Sequence, residues 1–414
     1  MGREQGEGVY PIWSYATVGI SYLVFPSFTE GAMVNFLDQR RKSLSRRSAP
    51  EPMGKIMTWS SCILGALVVG LAQNTTRAED PVRAMLSVPN KYRVVMLGEL
   101  HRSIEFHQFL QRLIEDPHFP DRYTDIAVEF GTAHFQSTAD AYVNGKQVSD
   151  EELAKIWRNT GQWTTWDAPM YRYFFELMRK VNSSLPEKRR VRVVLGDPDL
   201  DWTKIKTAKD YEPFALREPD FAKVLEREVI AHPERRALVV IGGMHVTRMR
   251  EQNKPLSRQN LTLILDDSRP GLTYSVFCYV GQPAEGTCSQ DQQCFVDVQS
   301  GAVSEMKFSK FCKFSRVMKM VDGKWVEFKP DPATIPTAKE AVDAVLYLGP
   351  ESHEAGSDGS ACRDREYRKL LEKKAVILSE VYGLDFHKEL QDELAPCGGA
   401  RPTGNGVPAE VHLP

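Results

Sequence analysis

Acidic and histidine side chains follow four apolar, strand-like segments of the sequence. VVMLGELH ends in Glu99 and His101, AVEFG contains Glu129, VVLGDPDLDW contains Asp197, and VVIGGMH ends in His245. In an open parallel sheet, ligands bind beyond the carboxyl ends of the strands, so we expect these side chains to converge. Imidazole beside carboxylate suits general acid–base catalysis and is also a ligand set for Zn, Mn or Fe.

Each of these residues also has a purely structural interpretation. Glu99 and Glu129 can stabilise a helix N-terminus, where the helix dipole favours acids, and the aspartates of GDPDLDW can cap the helix that follows. We expect His107, beside the apolar stripe of its helix, and Asp197 to support the site rather than to react. The convergence of four strand ends favours a functional site over four independent structural roles.

Several other kinds of site are disfavoured by the sequence. It has no GxSxG elbow, and no cysteine follows a core strand near these histidines, so a covalent serine or cysteine nucleophile is not expected. It has neither GxGxxG nor GxxxxGK[ST], which argues against a Rossmann dinucleotide site and a P-loop.

Strand-like and helical patterns alternate along the part of the chain that carries these residues. Strands are predicted at 93–97, 124–130, 190–196, 236–243, 273–280 and 342–349, and helices at 103–116, 132–144, 149–158, 169–182, 221–231, 257–267 and 366–383. Continuous apolar strands separated by helices predict an α/β fold with a mainly parallel central sheet. We assign this domain to residues 79–395, with a β-rich insertion at 281–335 that includes a hairpin turning at Asp322-Gly323. Residues 396–414 are predicted to be a disordered tail.

The first 78 residues differ from the rest and predict export. MGKIMTWSSCILGALVVGLAQNTTRA has a basic start at Lys55, an apolar centre, and the small residues Thr76 and Ala78 before a cleavage site. We interpret 53–78 as a signal peptide and 1–52 as an over-extended reading frame; the alternative is a genuine extension with membrane-associated segments. The apolar centre of the segment 53–78 is shorter than the ~20 residues of a membrane span, so we expect no stable membrane span in the mature chain.

Cysteine content agrees with export, and the net charge gives no sign of a nucleic-acid partner. Six cysteines remain after cleavage, an even number that suggests disulfide bonds, and buried free thiols are the alternative: Cys278, Cys288, Cys294, Cys312, Cys362 and Cys397. The formal net charge of −2 gives no reason to expect a nucleic-acid partner.

The ordered motifs resemble one superfamily. GELHRSIEFHQFLQRLI, then VEFG, then IGGMH are similar to the group that contains the haem-binding uptake protein ChaN, the erythromycin esterases and the Tiki/TraB proteases. The resemblance covers roughly residues 93–265 and extends at most to residue 349. The chain differs from these relatives in three ways. It lacks a clear esterase lid, its 281–335 insertion has no counterpart in them, and no motif locates the haem tyrosine.

The resemblance implies three sets of roles. By similarity to the esterases, His101 is a base that activates water, Glu99 and Glu129 orient it, and His245 is a second acid–base or polarising group. By similarity to the Tiki proteases, the same four residues bind a divalent metal (Mn, Fe or Zn). By similarity to ChaN, the chain binds haem.

Three functions therefore stay open at this stage, and the one with least support from the residues is a pseudoenzyme that serves as an interaction module of the cell envelope. The first is an exported hydrolase, with or without a metal, that acts on an ester or amide bond of a small molecule or peptide. The second is a haem or iron uptake protein without catalysis, in which Tyr171 and Tyr173 of WRNTGQWTTWDAPMYRY contact the porphyrin. Ordinary aromatic packing between helices is the alternative for that segment.

Overall fold

A computed structural model describes residues 79–250, 255–312, 318–321, 324–327 and 331–397. These residues fall within one compact unit of the chain. The predicted signal peptide, its cleavage site and nearly all of the predicted tail lie outside the described residues. Among the residues described, no helix is both long enough and apolar enough to cross a membrane.

A seven-stranded sheet forms the centre of the fold and confirms the predicted α/β class. In chain order, its strands are β1 (Val94–Glu99), β2 (Asp125–Thr132), β3 (Arg192–Asp197), β4 (Ala237–Gly242), β5 (Thr273–Tyr279), β6 (Cys294–Asp297) and β9 (Ala344–Tyr347). Their spatial order is β3-β2-β4-β1-β5-β9-β6. All of these strands pair in parallel except β6, which runs antiparallel to β9.

Helices cover both faces of this sheet. The described α-helices are α1 (Pro81–Ser87), α2 (Ile104–Glu115), α3 (Phe119–Arg122), α4 (Gln136–Val143), α5 (Asp150–Arg158), α6 (Pro169–Ser183), α7 (Ala208–Tyr211), α8 (Arg217–Leu225), α9 (Leu261–Ser268), α10 (Ala338–Ala341), α11 (Ser360–Arg363), α12 (Arg365–Tyr382) and α13 (Phe386–Leu394). Successive residues of β1 enter different cores, Val95 and Leu97 on the side of α2 and α6, and Val94 and Met96 on the side of α8 and α9. This alternation follows from the two-residue period of a strand and explains its uninterrupted apolar sequence.

The insertion at 281–335 is partly integrated into the main sheet. It contributes β6, which extends the sheet at one edge. It also contains the antiparallel pair β7 (Met318–Val321) and β8 (Lys324–Glu327), so the predicted hairpin is present, although its turn lies outside the described residues. The predicted bounds, a domain at 79–395 with a β-rich insertion at 281–335, remain a prediction.

The cysteines divide between the two interpretations left open by the sequence. Disulfide bonds join Cys288 to Cys294 and Cys362 to Cys397, whereas Cys278 and Cys312 are buried free thiols. The second disulfide joins α11 to the end of the chain segment that carries α12 and α13. Side chains of α12 and α13 belong to a third apolar cluster, which also includes Trp163.

Candidate active site

The carboxyl ends of four neighbouring strands bring the predicted residues together. Reading across the sheet, β3 ends in Asp197, β2 carries Glu129, β4 ends in Gly242 just before His245, and β1 ends in Glu99. All four polar side chains are at least nine-tenths buried. The expected convergence at one sheet edge is therefore present in the fold.

Glu99 and His101 form the first carboxylate–imidazole pair. Nδ1 of His101 lies 3.5 Å from Oε2 of Glu99. The His101 ring meets the Trp166 ring edge to face, with centroids 4.8 Å apart. Burial lowers the pKa of His101, but the negative charges of Glu99 and Glu129 outweigh it, and the pKa is raised above the ordinary value of 6.5. The two carboxylates therefore favour the protonated form of His101.

Glu99 is itself held by two further side chains. Its Oε1 accepts a hydrogen bond from the Tyr171 hydroxyl at 2.9 Å and lies 3.2 Å from Nε2 of His107. Burial works to raise the pKa of Glu99, but His101 and His107 prevail and lower it to about 2. The two histidines thus favour the anionic form of Glu99, and the supporting role of His107 stays a prediction.

An arginine that the sequence analysis missed joins Glu129 to Asp197. Nη1 of Arg217 donates to Oε1 of Glu129 at 2.8 Å, and its Nε donates to Oδ1 of Asp197 at 2.5 Å. Burial would raise the pKa of Glu129, but Arg217 outweighs it together with His245 and His101, and the pKa is lowered. For Asp197, burial prevails over Arg217 and the pKa is raised.

His245 belongs to a second carboxylate–imidazole pair, whose acid the sequence analysis also missed. Nδ1 of His245 lies 2.9 Å from Oε1 of Glu218, and Nε2 lies 3.9 Å from Oε1 of Glu129. Glu218 and Arg217 are consecutive residues at the start of α8. The predicted helix began at 221, where its apolar pattern begins, and the first turn that enters the site carries no such pattern.

The two imidazoles meet over Gly242. A Cβ atom on Gly242 would lie 2.9 Å from Nε2 of His101 and 3.3 Å from Cδ2 of His245. Only a residue without a side chain leaves room for both rings in this position. The backbone N–H of Gly242 donates to Oε2 of Glu129 at 2.7 Å, which fixes this end of β4.

The two tyrosines predicted to contact haem lie in different surroundings. Tyr171 is fully buried and its hydroxyl donates a hydrogen bond to Glu99, whereas Tyr173 is 38% exposed. Tyr173 lines a groove of about 360 Å³ on α2 and α6, and Tyr171 does not. This groove is called the α2–α6 groove below. Its other lining residues are His107, Leu110, Gln111, Glu115, Met170, Phe174, Glu176, Leu177 and Lys180.

A divalent metal held by the four predicted ligands remains a prediction, and their contacts do not favour it. Within the described ranges, no three His, Cys, Asp or Glu side chains are grouped as a metal site. Both carboxylate oxygens of Glu129 accept hydrogen bonds, from Arg217 and from Gly242. Glu129 is thus already engaged by two N–H donors, one of which belongs to the permanently charged Arg217, and this works against a bound metal ion at this carboxylate.

Comparison with protein families confirms the resemblance inferred from the motifs. Residues 85–186 match the model of a family described as "Haem-binding uptake, Tiki superfamily, ChaN". This segment contains β1, β2 and α6, with Glu99, His101 and Glu129. A search of curated proteins finds no significant match.

Several solved structures show distant similarity to this chain. A Bacillus cereus protein covers 67% of this chain and 92% of its own, with 12% identity and a TM-score of 0.41. An erythromycin esterase variant in its open conformation covers 66% of this chain and 94% of its own, with 12% identity and a TM-score of 0.41. Haem-bound ChaN of Campylobacter jejuni covers 49% of this chain and 87% of its own, with 15% identity and a TM-score of 0.32. At these scores the similarities carry no argument about function.

Proposed function

We propose that the protein is a hydrolase of an ester or amide bond that uses His101 as a general base. The observation that carries this proposal is the meeting of two Glu–His pairs, Glu99–His101 and Glu218–His245, over Gly242. Two imidazoles side by side, each with its own carboxylate, are suited to remove a proton from one reactant and to deliver one to another.

Each residue has a defined role in the proposed reaction. His101 takes a proton from water as the water oxygen bonds to the substrate carbonyl carbon, and Glu99 stabilises the imidazolium that forms. His245 donates a proton to the departing alcohol or amine as its bond to carbon breaks. Water attacks directly, so no covalent enzyme intermediate is needed, in agreement with the lack of a nucleophilic serine or cysteine among these groups.

Replacement of His101 tests the proposal. The His101→Ala and His101→Gln variants are assayed against panels of ester and amide substrates, beside His118→Ala, which changes an exposed histidine away from the strand ends. Loss of a general base typically lowers the rate about 10²- to 10⁴-fold. Circular dichroism checks that the variants fold, and unchanged turnover in folded His101→Ala would exclude this base.

Haem binding is a second candidate, favoured by the α2–α6 groove. The groove is mostly apolar and presents one partly exposed phenol, Tyr173, beside Met170 and Phe174. Its volume is within the range of small-molecule sites. Haem titration of the wild-type chain should give a Soret band that Tyr173→Phe weakens. Tyr142→Phe, which changes a tyrosine of α4 outside the groove lining, should leave the band intact. No Soret band at all would remove this candidate.

We also propose that the protein is exported. Two disulfide bonds support this, because such bonds persist in oxidising compartments. N-terminal sequencing of the secreted protein is expected to begin just after Ala78, whereas a mature chain beginning near Met1 would contradict cleavage there.

A further inference from the structure

Arg217 occupies the centre of the acidic half of the site. It is the first residue of α8, and only 8% of it is exposed. Its guanidinium reaches two carboxylates on neighbouring strands, Glu129 of β2 and Asp197 of β3. A buried cation between two buried anions stabilises their charged forms, which would otherwise be expelled or neutralised.

The remaining oxygens of these two carboxylates are also occupied. Oε2 of Glu129 accepts from the Gly242 N–H at 2.7 Å, and Oδ2 of Asp197 accepts from the Gly161 N–H at 3.1 Å. A divalent cation needs several oxygen or nitrogen lone pairs directed at one centre. Here each of the four carboxylate oxygens already accepts from an N–H donor, and a second cation beside the guanidinium would be repelled at short range.

We propose that Arg217 is the resident cation between Glu129 and Asp197 and that it keeps a divalent metal from binding at Glu129, one of the four predicted metal ligands. This half of the site therefore needs no metal. The inference concerns the residues of the proposed hydrolase, but its tests require no turnover, so it can fail while the hydrolase proposal stands.

Arg217 also acts as a positioning residue. It holds Glu129, Glu129 holds the N–H of Gly242, and the rings of His101 and His245 lie against Gly242. Loss of the guanidinium would free the Glu129 side chain to move. Gly242, and the two imidazole rings that lie against it, would then shift.

The first test measures metals in the full chain. The protein is purified without added metal and analysed for Mn, Fe and Zn, and Mn²⁺ is then titrated into it by calorimetry. We expect far less than one equivalent of any metal and no saturable Mn²⁺ binding. One equivalent of metal that is lost in the Glu129→Gln variant would overturn the proposal.

The second test replaces the cation. Arg217→Ala should lower Tm, because two buried carboxylates lose their counterion, and millimolar guanidinium or Mn²⁺ should each raise the Tm of this variant by a few degrees. Neither ion should raise the Tm of the wild type or of Arg250→Ala, which removes an exposed arginine paired with Asp267. A folded Arg217→Ala whose Tm equals that of the wild type, or ignores both ions, would contradict the proposal.

A conservative variant covers the case in which Arg217→Ala does not fold. Arg217→Lys keeps the positive charge but has a single ammonium group in place of the planar fork that reaches both acids. We expect it to fold with a reduced Tm that guanidinium partly restores. A fall in Tm no larger than that of Arg250→Lys would mean that the guanidinium is not what holds the two carboxylates.

Discussion

His101 shows how a residue is prepared for chemistry by its immediate neighbours. Its Nδ1 faces Glu99, its ring lies against Trp166, and its Nε2 lies over Gly242. Burial alone would make the imidazole neutral, and the carboxylates reverse this, so its pKa reports directly on Glu99. The protonation of His101 can therefore be tested by replacing one neighbouring carboxylate at a time.

Glu99→Gln should lower the pKa of His101. Without the carboxylate, burial is opposed only by the more distant Glu129, so the imidazolium loses most of its stabilisation. If His101 acts as a base, activity rises with pH through this pKa, and the rise should move to lower pH in the variant. Titration of the histidine ring signals by NMR measures the shift.

Glu105→Gln is the matched control for that experiment. Glu105 contacts the exposed His353 and raises the pKa of that histidine instead. The control should therefore lower the pKa of His353 and leave that of His101 in place. A His101 signal that titrates identically in wild type and Glu99→Gln would contradict the assigned pair.

Gly242→Ala should reduce activity without unfolding the protein. The added methyl would lie 2.9 Å from Nε2 of His101, closer than real Cβ contacts allow, so one ring must move. We expect a loss of about 10²-fold, the order of effect of misplacing a catalytic group by about 1 Å. Gly356→Ala is the control because a Cβ there meets nothing within 4 Å. Equal activity of the two variants would mean that the rings tolerate displacement.

At the scale of elements, β1 to β5 were predictable because their sequences are continuous apolar runs rich in β-branched residues, as expected of strands buried on both faces. The polar residues at the ends of these runs were predictable for the same reason. The first turn of α8 was not, since Arg217 and Glu218 precede its apolar pattern and nothing marks them among the 53 Lys and Arg or 55 Asp and Glu residues. The hydrogen bond between Tyr171 and Glu99, which are 72 residues apart, was not predicted, and a haem contact of Tyr171 stays a prediction. Such pairings depend on the folded topology and cannot be read from local spacing.

The segment between α5 and α6 also depends on a distant element. Nζ of Lys374, in α12, donates to the carbonyls of Arg158 and Gln162 at 2.7 and 2.8 Å. Lys374 is fully buried, and burial lowers its pKa to about 7. The helix therefore supports the segment that carries Trp166, at the cost of burying an amine.

Lys374→Met should remove a pH dependence of stability. Between pH 7 and pH 10.5 the unfolded lysine binds a proton that the folded one has lost, so the free energy of unfolding of the wild type rises with pH. The slope is at most about 1.4 kcal/mol per pH unit for one proton. Urea unfolding at several pH values should give a flatter dependence for Lys374→Met than for Lys369→Met, on an exposed site of the same helix. Parallel slopes in the two variants would argue against a neutral buried amine.

For the whole molecule, the Cys362–Cys397 disulfide should matter more than the Cys288–Cys294 disulfide. The first closes a segment of 35 residues and the second one of 6. Chain entropy predicts a contribution of about 4 kcal/mol for the long loop and about 2 kcal/mol for the short one. The long loop also contains α12 and α13, whose side chains belong to the same apolar cluster as Trp163.

Paired serine variants separate these two contributions. Cys362→Ser with Cys397→Ser should lower the free energy of unfolding by the larger amount, and Cys288→Ser with Cys294→Ser by the smaller, as measured by urea denaturation without reductant. Adding reductant should bring the wild type to the stability of the variant with all four serines, because Cys278 and Cys312 form no bond to lose. The reverse order of the two losses would mean that α12 and α13 hold their place by packing alone, and that the oxidised state of the chain adds little to the support of the site.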